Sequence, residues 1–417
     1  MVGDTQVLIV GAGLAGLSCA VVLDGLSIPY QIVDASDRPG GKLRTDAMDG
    51  YLIDRGFHVV LPDYPEARRF FTERDLELQY FTRGLLVDDV MGTPSLLSVE
   101  DIGAIIEAVR GTVNPIDAAM ALRNLGRALP QILRAGNAGR LSMADVLALL
   151  PRGMRARYGV LEPLLRGITC APDLSVPARF GLEVLTAMIR GGVGVPSTGI
   201  ERLPIVLANR LRQGVTRGVS VSRVDSHGAV LEDGSRINAD ITVVATDATS
   251  AERLLGGFRA PEYHRVNFAY FESESPLLSA RAVYVPSVRH SSILTVADIS
   301  HIAPAYARTG KNLVSVSYQE NERVSLEDFT TEVIRVTGTN QRLELVAHGS
   351  IEHALPVIDV GRASRPDRSV FAKNIYLAGD YLEEPSINGA LCSGRRAARA
   401  IARQVTSSGM LTDPVPK

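Results

Sequence analysis

The sequence predicts an α/β protein in which a parallel sheet flanked by helices carries an inserted α+β unit. Three observations lead there. Val7 to Val10 is a short apolar run that meets Gly11, Gly13 and Gly16 in G-x-G-x-x-G spacing and opens a stretch rich in Ala, Leu and Val. A second apolar run from Tyr30 to Val33 ends in Asp34, eighteen residues after Gly16. Near the other end, Ile375 to Ala378 reads as one more buried strand, followed by Gly379-Asp380 and a helical stretch from Asn388 to about Val405.

The first forty residues form a βαβ unit of Rossmann type. Val7 to Val10 has the continuous apolar character of a strand buried on both faces. Leu14 to Leu26 is the helix and Tyr30 to Val33 the second strand. Gly11 makes the tight turn, Gly13 admits a pyrophosphate to the backbone, and Gly16 lets helix and strand pack closely. The helix N-terminus offers free N–H groups to phosphate, and Asp34 is placed to accept from a ribose hydroxyl.

Residues beyond this unit separate one dinucleotide from another. Pro39-Gly40-Gly41-Lys42-Leu43-Arg44-Thr45, Ile53-Asp54-Arg55-Gly56-Phe57-His58, Ile375-Tyr376-Leu377-Ala378-Gly379-Asp380 and Ser386-Ile387-Asn388-Gly389-Ala390 stand in that order. Together they resemble the FAD superfamily of amine oxidases, protoporphyrinogen oxidases and phytoene desaturases. The resemblance covers both ends of the chain well and the middle poorly. It implies FAD contacts at Gly11, Ala12, Gly13, Ala15, Gly16, Asp34, Ala35, Gly41, Lys42 and Arg44. It adds Gly56 and His58 beside the isoalloxazine, Val219 at the adenine, Ala245 near the pyrophosphate, Asp380 with Gly379 at the ribitol or pyrophosphate, and Ile387 and Ala390 at the last helix. Free N–H groups at that helix start would stabilise negative charge on the reduced ring.

In chain order, Pro65 to Glu73 reads as a charged helix and Leu76 to Val87 as strands. Ile102 to Val109, Pro115 to Ala135 and Ser142 to Leu150 show helical spacing, giving a mostly helical cap. The stripe Ile116, Met120, Leu122, Leu125, Leu129, Ile132 and Leu133 reads either as a core face of this cap or as a peripheral membrane contact. The absence of Trp and Lys from the segment favours the core face. Gly191 to Leu211 reads as a loop and a helix, Gly218 to Leu231 as a hairpin, and Arg236 to Ala239 and Ile241 to Asp247 as separate strands. Val266 to Phe271, Ala282 to Val285, Ser292 to Val296 and Leu313 to Tyr318 predict an antiparallel sheet flooring a cavity. These elements divide the chain into 1–62, 193–250 and 368–407 for FAD, 63–192 and 251–367 for substrate, and a tail at 408–417.

At 417 residues the chain is long enough for two or three domains. A net charge of −2 without basic runs speaks against nucleic acid. Cys19, Cys170 and Cys392 lack C-x-x-C pairing and read as reduced thiols, neither a disulfide framework nor a metal site. The N-terminus enters the first strand directly, and no apolar run is long enough to span a bilayer. The expectation is a cytoplasmic protein, with peripheral membrane contact and oligomeric state left open.

Departures from the family pattern bear on chemistry. Amine oxidases of the superfamily carry a lysine beside the flavin, and the matching stretch His264 to Tyr270 has none. Their aromatic wall before the last helix is replaced by Ser386, and no cysteine lies around 355–368, so the FAD is expected to be non-covalent. The predicted activity is an FAD-dependent oxidase or desaturase removing hydride from an apolar, polyene or tetrapyrrole-like substrate, reoxidised by oxygen, a quinone or another acceptor. The alternatives are a small-amine oxidase and a flavin-binding protein without turnover. His353 and His58 are the catalytic candidates, each with a structural role as its competitor, and Tyr318 and Tyr381 are weaker ones.

Overall fold

The computed structural model describes residues 5–89, 92–98, 100–101, 120, 123–124, 126–127, 141–151, 156–287, 291–319, 326–360 and 369–407. The expected helix Ile102 to Val109 and most of Pro115 to Ala135 lie outside them. Of the apolar stripe, Met120 is described, and it is half exposed.

An eight-stranded sheet carries the first and last motifs. Thr5–Val10 lies between Tyr30–Asp34 and Arg236–Val244, parallel to both, and Ile375–Leu377 runs parallel along the far side of Arg236–Val244. Leu14–Gly25 and the final helix Ile387–Ser407 pack together on one face. Their contact is backbone-close: a Cβ at Gly394 would lie 2.0 Å from the Ala15 carbonyl oxygen. Leu17, Cys19, Leu23, Ala397 and Ile401 fill the core beneath them.

Arg236–Val244 is one nine-residue strand, not the two that the sequence predicts. Its first half pairs antiparallel with Gly228–Leu231 and its second half parallel with Thr5–Val10. The alternating exposed and buried residues at 236–240 and the continuous burial at 241–244 are two environments along one strand.

The second sheet has seven strands, in the order Glu344–Pro356, Tyr263–Ser273, Asn312–Tyr318, Ile293–Asp298, Val283–Val285, Gly84–Asp88 and Pro94–Ser98. It is antiparallel except where Val283–Val285 runs parallel to Gly84–Asp88. Helix Leu326–Thr337 covers one face through Phe329 and Val333. The helices Glu162–Thr169 and Ala178–Gly191 stand over the other.

Two expected elements differ in detail. The helix from Pro65 stops at Phe70, and Thr72 caps a new short helix by accepting from the Asp75 N–H while Asp75 accepts from the Thr72 N–H (2.6 Å). The reciprocal pair satisfies two orphan amides and makes a new start cheaper than continuation. Within the expected loop at Gly191, Gly194–Pro196 pairs with Leu78–Tyr80, because buried Val195 gains a partner strand there.

Candidate active site

A single connected cavity of about 1650 Å³ runs from the glycine turns of the first sheet to the floor of the second. Drug-sized ligands occupy roughly 300–1,000 Å³, so this space holds a dinucleotide and a further molecule.

At one end two glycine turns face each other. Gly11 has φ +107°, and a Cβ there would lie 2.8 Å from the Ala245 carbonyl oxygen. A Cβ at Gly16 would lie 1.9 Å from the Gly11 carbonyl oxygen, and one at Gly41 3.2 Å from Gly13 Cα. Side chains at Gly11 and Gly16 would collide with neighbouring backbone, and one at Gly41 would close the gap to Gly13. The helix starting at Leu14 has no side-chain cap and no acid in its first turn, so its N–H groups suit an anion. Asp34 closes the second strand with one carboxylate oxygen accepting from Ala12 N–H (2.6 Å) and the other from Ser36 N–H (2.8 Å). Each oxygen keeps a lone pair for a ribose hydroxyl. These features fit the pyrophosphate and ribose of FAD.

Gly11, Gly13, Ala15, Asp34, Ala35, Gly41, Lys42, Gly56, His58, Val219, Ala245, His353, Gly379, Asp380, Ile387 and Ala390 all line the cavity. Ala12, Gly16 and Arg44 do not. Ala12 and Gly16 shape the turn from behind, and Arg44 reaches back to the Arg38 carbonyl (3.2 Å) and to Asp37. Lys42 Nζ joins the two ends of the chain, 2.9 Å from Asp380 Oδ2 and 3.2 Å from the Ala354 carbonyl. At the last helix, Ser386 Oγ accepts from Gly389 N–H (3.0 Å), so one of the amides expected to be free is already capped.

The loop after the second glycine turn is held by Asp54 and Thr45, which stand in the quoted motifs without an assigned role, and by Tyr306 and Ile200, which the sequence did not single out. Asp54, buried, accepts from Thr45 Oγ1 (2.6 Å), Tyr306 OH (2.7 Å) and Ile200 N–H (3.1 Å). Burial holds its carboxyl above the usual range, against the pull of these donors. Thr45 stands directly opposite Asp54 in the short hairpin Thr45–Met48 and Tyr51–Asp54. An acid and a hydroxyl nine residues apart, either side of a turn, are the signal that could have found this buttress.

His58 Nε2 donates to the Arg55 carbonyl (3.0 Å), since a carbonyl only accepts. Burial lowers its pKa, against the pull of Asp54, and with Nε2 carrying the proton toward this carbonyl the ring's acceptor lone pair sits on Nδ1. His353 is exposed and its ring meets Tyr263 at 4.9 Å, beside Lys42. Neither weaker candidate reaches the cavity. Strand alternation turns Ser317 toward it and Tyr318 onto Phe329, and Tyr381 is buried against Phe258.

Beyond the glycine turns the walls become apolar. Val160, Leu164, Ile168, Val184, Leu185 and Met188 come from the cap helices, and Val266, Phe268, Val283 and Val285 from the sheet. Cys170 also lines this part, its thiol pushed up to about 12 by burial, which makes it inert. Among the described residues no group of three or more His, Cys, Asp or Glu could hold a metal, and no helix is long and apolar enough to cross a membrane. The stretch 361–368, relevant to covalent attachment of flavin, lies outside the described residues.

Comparison with known proteins agrees with this geometry. The model of a family described as flavin containing amine oxidoreductase matches residues 14–402. Coproporphyrinogen III oxidase of Bacillus subtilis (strain 168) is 24% identical over 308 residues, which are 61% of this chain and 62% of that protein. L-amino-acid oxidase of Sistrurus catenatus edwardsii is 33% identical over 105 residues, 22% of this chain and 20% of that protein. These alignments thus span less than two thirds of either relative. The crystal structure of an oxidoreductase from Methanosarcina mazei superposes with a TM-score of 0.72 at 15% identity, covering 95% of this chain and all of that one, which shows the fold.

Proposed function

This chain belongs to the family of flavin containing amine oxidoreductases and its cofactor is FAD; on that premise we propose that it removes a hydride from an uncharged, apolar substrate of isoprenoid or polyene type, with the FAD held non-covalently. One observation carries the reading: the cap walls of the cavity are apolar, formed by Val160, Leu164, Ile168, Phe180, Val184, Leu185 and Met188 with the buried thiol of Cys170. The carboxylates on the cavity wall lie toward the glycine turns or the rim, where Asp380 pairs with Lys42, Asp46 with Arg55 and Glu352 with Arg265. An ammonium moved among these side chains would lose water without gaining a carboxylate, and Arg83, which also lines the cavity, is turned onto the Ile189 carbonyl (2.7 Å).

FAD, when bound, accepts the hydride and passes the electrons to an acceptor such as dioxygen or a quinone. The chain's own residues do the rest. The glycine turns and uncapped helix amides hold the pyrophosphate, and Asp34 accepts from the ribose. Lys42 and Asp380 tie the second glycine turn to the end of the closing strand. The aliphatic walls exclude water and orient the substrate by shape. His58 Nδ1 takes the proton that the substrate releases, with Nε2 locked on the Arg55 carbonyl.

The alignment with coproporphyrinogen III oxidase favours a second reading, a tetrapyrrole substrate. Anaerobic mixing of the FAD-loaded protein with an isoprenoid polyene, a porphyrinogen and putrescine separates the candidates. Loss of the visible flavin band with the polyene alone is expected. Bleaching by the porphyrinogen, or by putrescine, would replace the polyene reading.

A further inference from the structure

The floor of the apolar part contains a glycine whose missing side chain is replaced by a neighbour's ring. Strands Tyr263–Ser273 and Glu344–Pro356 pair with Phe268 opposite Gly349, and both residues line the cavity. A Cβ at Gly349 would lie 2.8 Å from Cζ and 2.9 Å from Cε1 of Phe268. The far edge of the ring therefore lies closer than contact distance to where any other residue would put its first carbon. Tyr270 backs the ring edge-on, with centroids 6.1 Å apart, and its hydroxyl donates to the Asp54 carbonyl (3.1 Å). That bond ties Tyr270 to the buttress under the glycine turns, so the ring cannot retreat in that direction.

The neighbouring pair repeats the arrangement. Val266 stands opposite Ile351, and Ile351 Cδ1 lies 2.6 Å from the position of a Cβ on Gly56. Two glycines, one on the floor and one on the loop carrying His58, thus make room for two apolar side chains that would otherwise stand in the passage.

We propose that Gly349 is a specificity-determining residue: by receiving the Phe268 ring it keeps the cavity floor flat beside Gly56 and His58, and so admits an extended, conjugated chain along the second sheet. The inference rests on the apolar-substrate reading above. A methyl at 349 would push the ring away from this strand, and with Tyr270 behind it the ring moves toward the passage.

The test uses the FAD-loaded protein and all-trans-retinol as a conjugated probe, with retinol fluorescence reporting uptake and visible absorbance reporting flavin content. Wild type should take up retinol. G349A should keep its flavin and bind retinol about tenfold more weakly, the scale of one forced overpacking. F268A/G349A should bind within a few-fold of F268A, because the displaced ring is gone. Should G349A lose flavin through misfolding, recovery of both flavin and retinol binding in F268A/G349A carries the same conclusion. Retinol binding by G349A equal to wild type, or no recovery in the double variant, overturns the proposal alone. Wild type that holds FAD and takes up no retinol overturns the apolar-substrate reading and the proposal with it.

Discussion

At the glycine turns, an added methyl on Gly16 would meet the Gly11 carbonyl oxygen at 1.9 Å; in the apolar part, one on Gly167 would meet Thr295 Cγ2 at 3.0 Å. The first neighbour is backbone, fixed by a parallel sheet on both sides. The second is the end of a side chain. At these two positions the backbone contact has no slack, whereas the side-chain contact can adjust. The difference shows why the cofactor turns demand glycine at backbone contacts, while a glycine in the substrate space matters only where its neighbour is held in place, as Phe268 is beside Gly349.

The comparison breaks most visibly with matched alanines. Gly16→Ala should cost more than about 4 kcal/mol and abolish FAD binding, whereas Gly167→Ala should stay within about 1 kcal/mol with flavin content unchanged. Thermal melts with flavin absorbance on the same samples check both. Equal losses at the two sites would end the distinction.

Asp54→Ala tests the buttress that holds the loop beside the turns. It strands the buried donors Thr45 Oγ1, Tyr306 OH and Ile200 N–H, and should lower stability by about 3 kcal/mol in urea titration. Flavin affinity should fall in parallel. Leu164→Ala, on the cap wall, should cost about 2 kcal/mol, because the space it opens joins an existing cavity. FAD affinity should be unchanged, and retinol uptake should broaden toward bulkier probes.

Glu384 lies between the two regions, just before the last helix, with Asn388 Nδ2 donating to it (3.4 Å) and Glu183 of a cap helix beside it. Tyr64 and Arg179, the latter paired with Glu183 (2.6 Å), complete its surroundings. Burial first, then the Glu183 carboxyl, raises its pKa from 4.5 to about 8. A carboxyl whose folded value is raised binds more protons when folded, so its contribution is present in full below 4.5 and disappears as pH rises through about 8. Melting temperature should therefore fall across that window in wild type and fall less in Glu384→Gln; identical slopes would remove Glu384 as the cause. The smallest effect belongs to Arg265→Ala, which breaks an exposed pair with Glu352 and should cost no more than about 1 kcal/mol by thermal melt.

The parallel unit, the glycine turns and the closing strand, Asp380 and last helix were all legible in the sequence, each as a contiguous stretch with its residue types at set spacing. Close backbone approach permits few residues, so such stretches announce themselves. Tertiary structure decided the rest. It joined Arg236 to Val244 into one strand, turned Tyr318 away from the cavity, and set Phe268 on Gly349 from a distant part of the chain. It also gathered Asp54, Thr45, Tyr306 and Ile200 under the loop. These depend on strand register and on which remote surfaces meet. Many apolar residues can fill the same volume, so composition leaves those pairings undetermined until the sheets assemble.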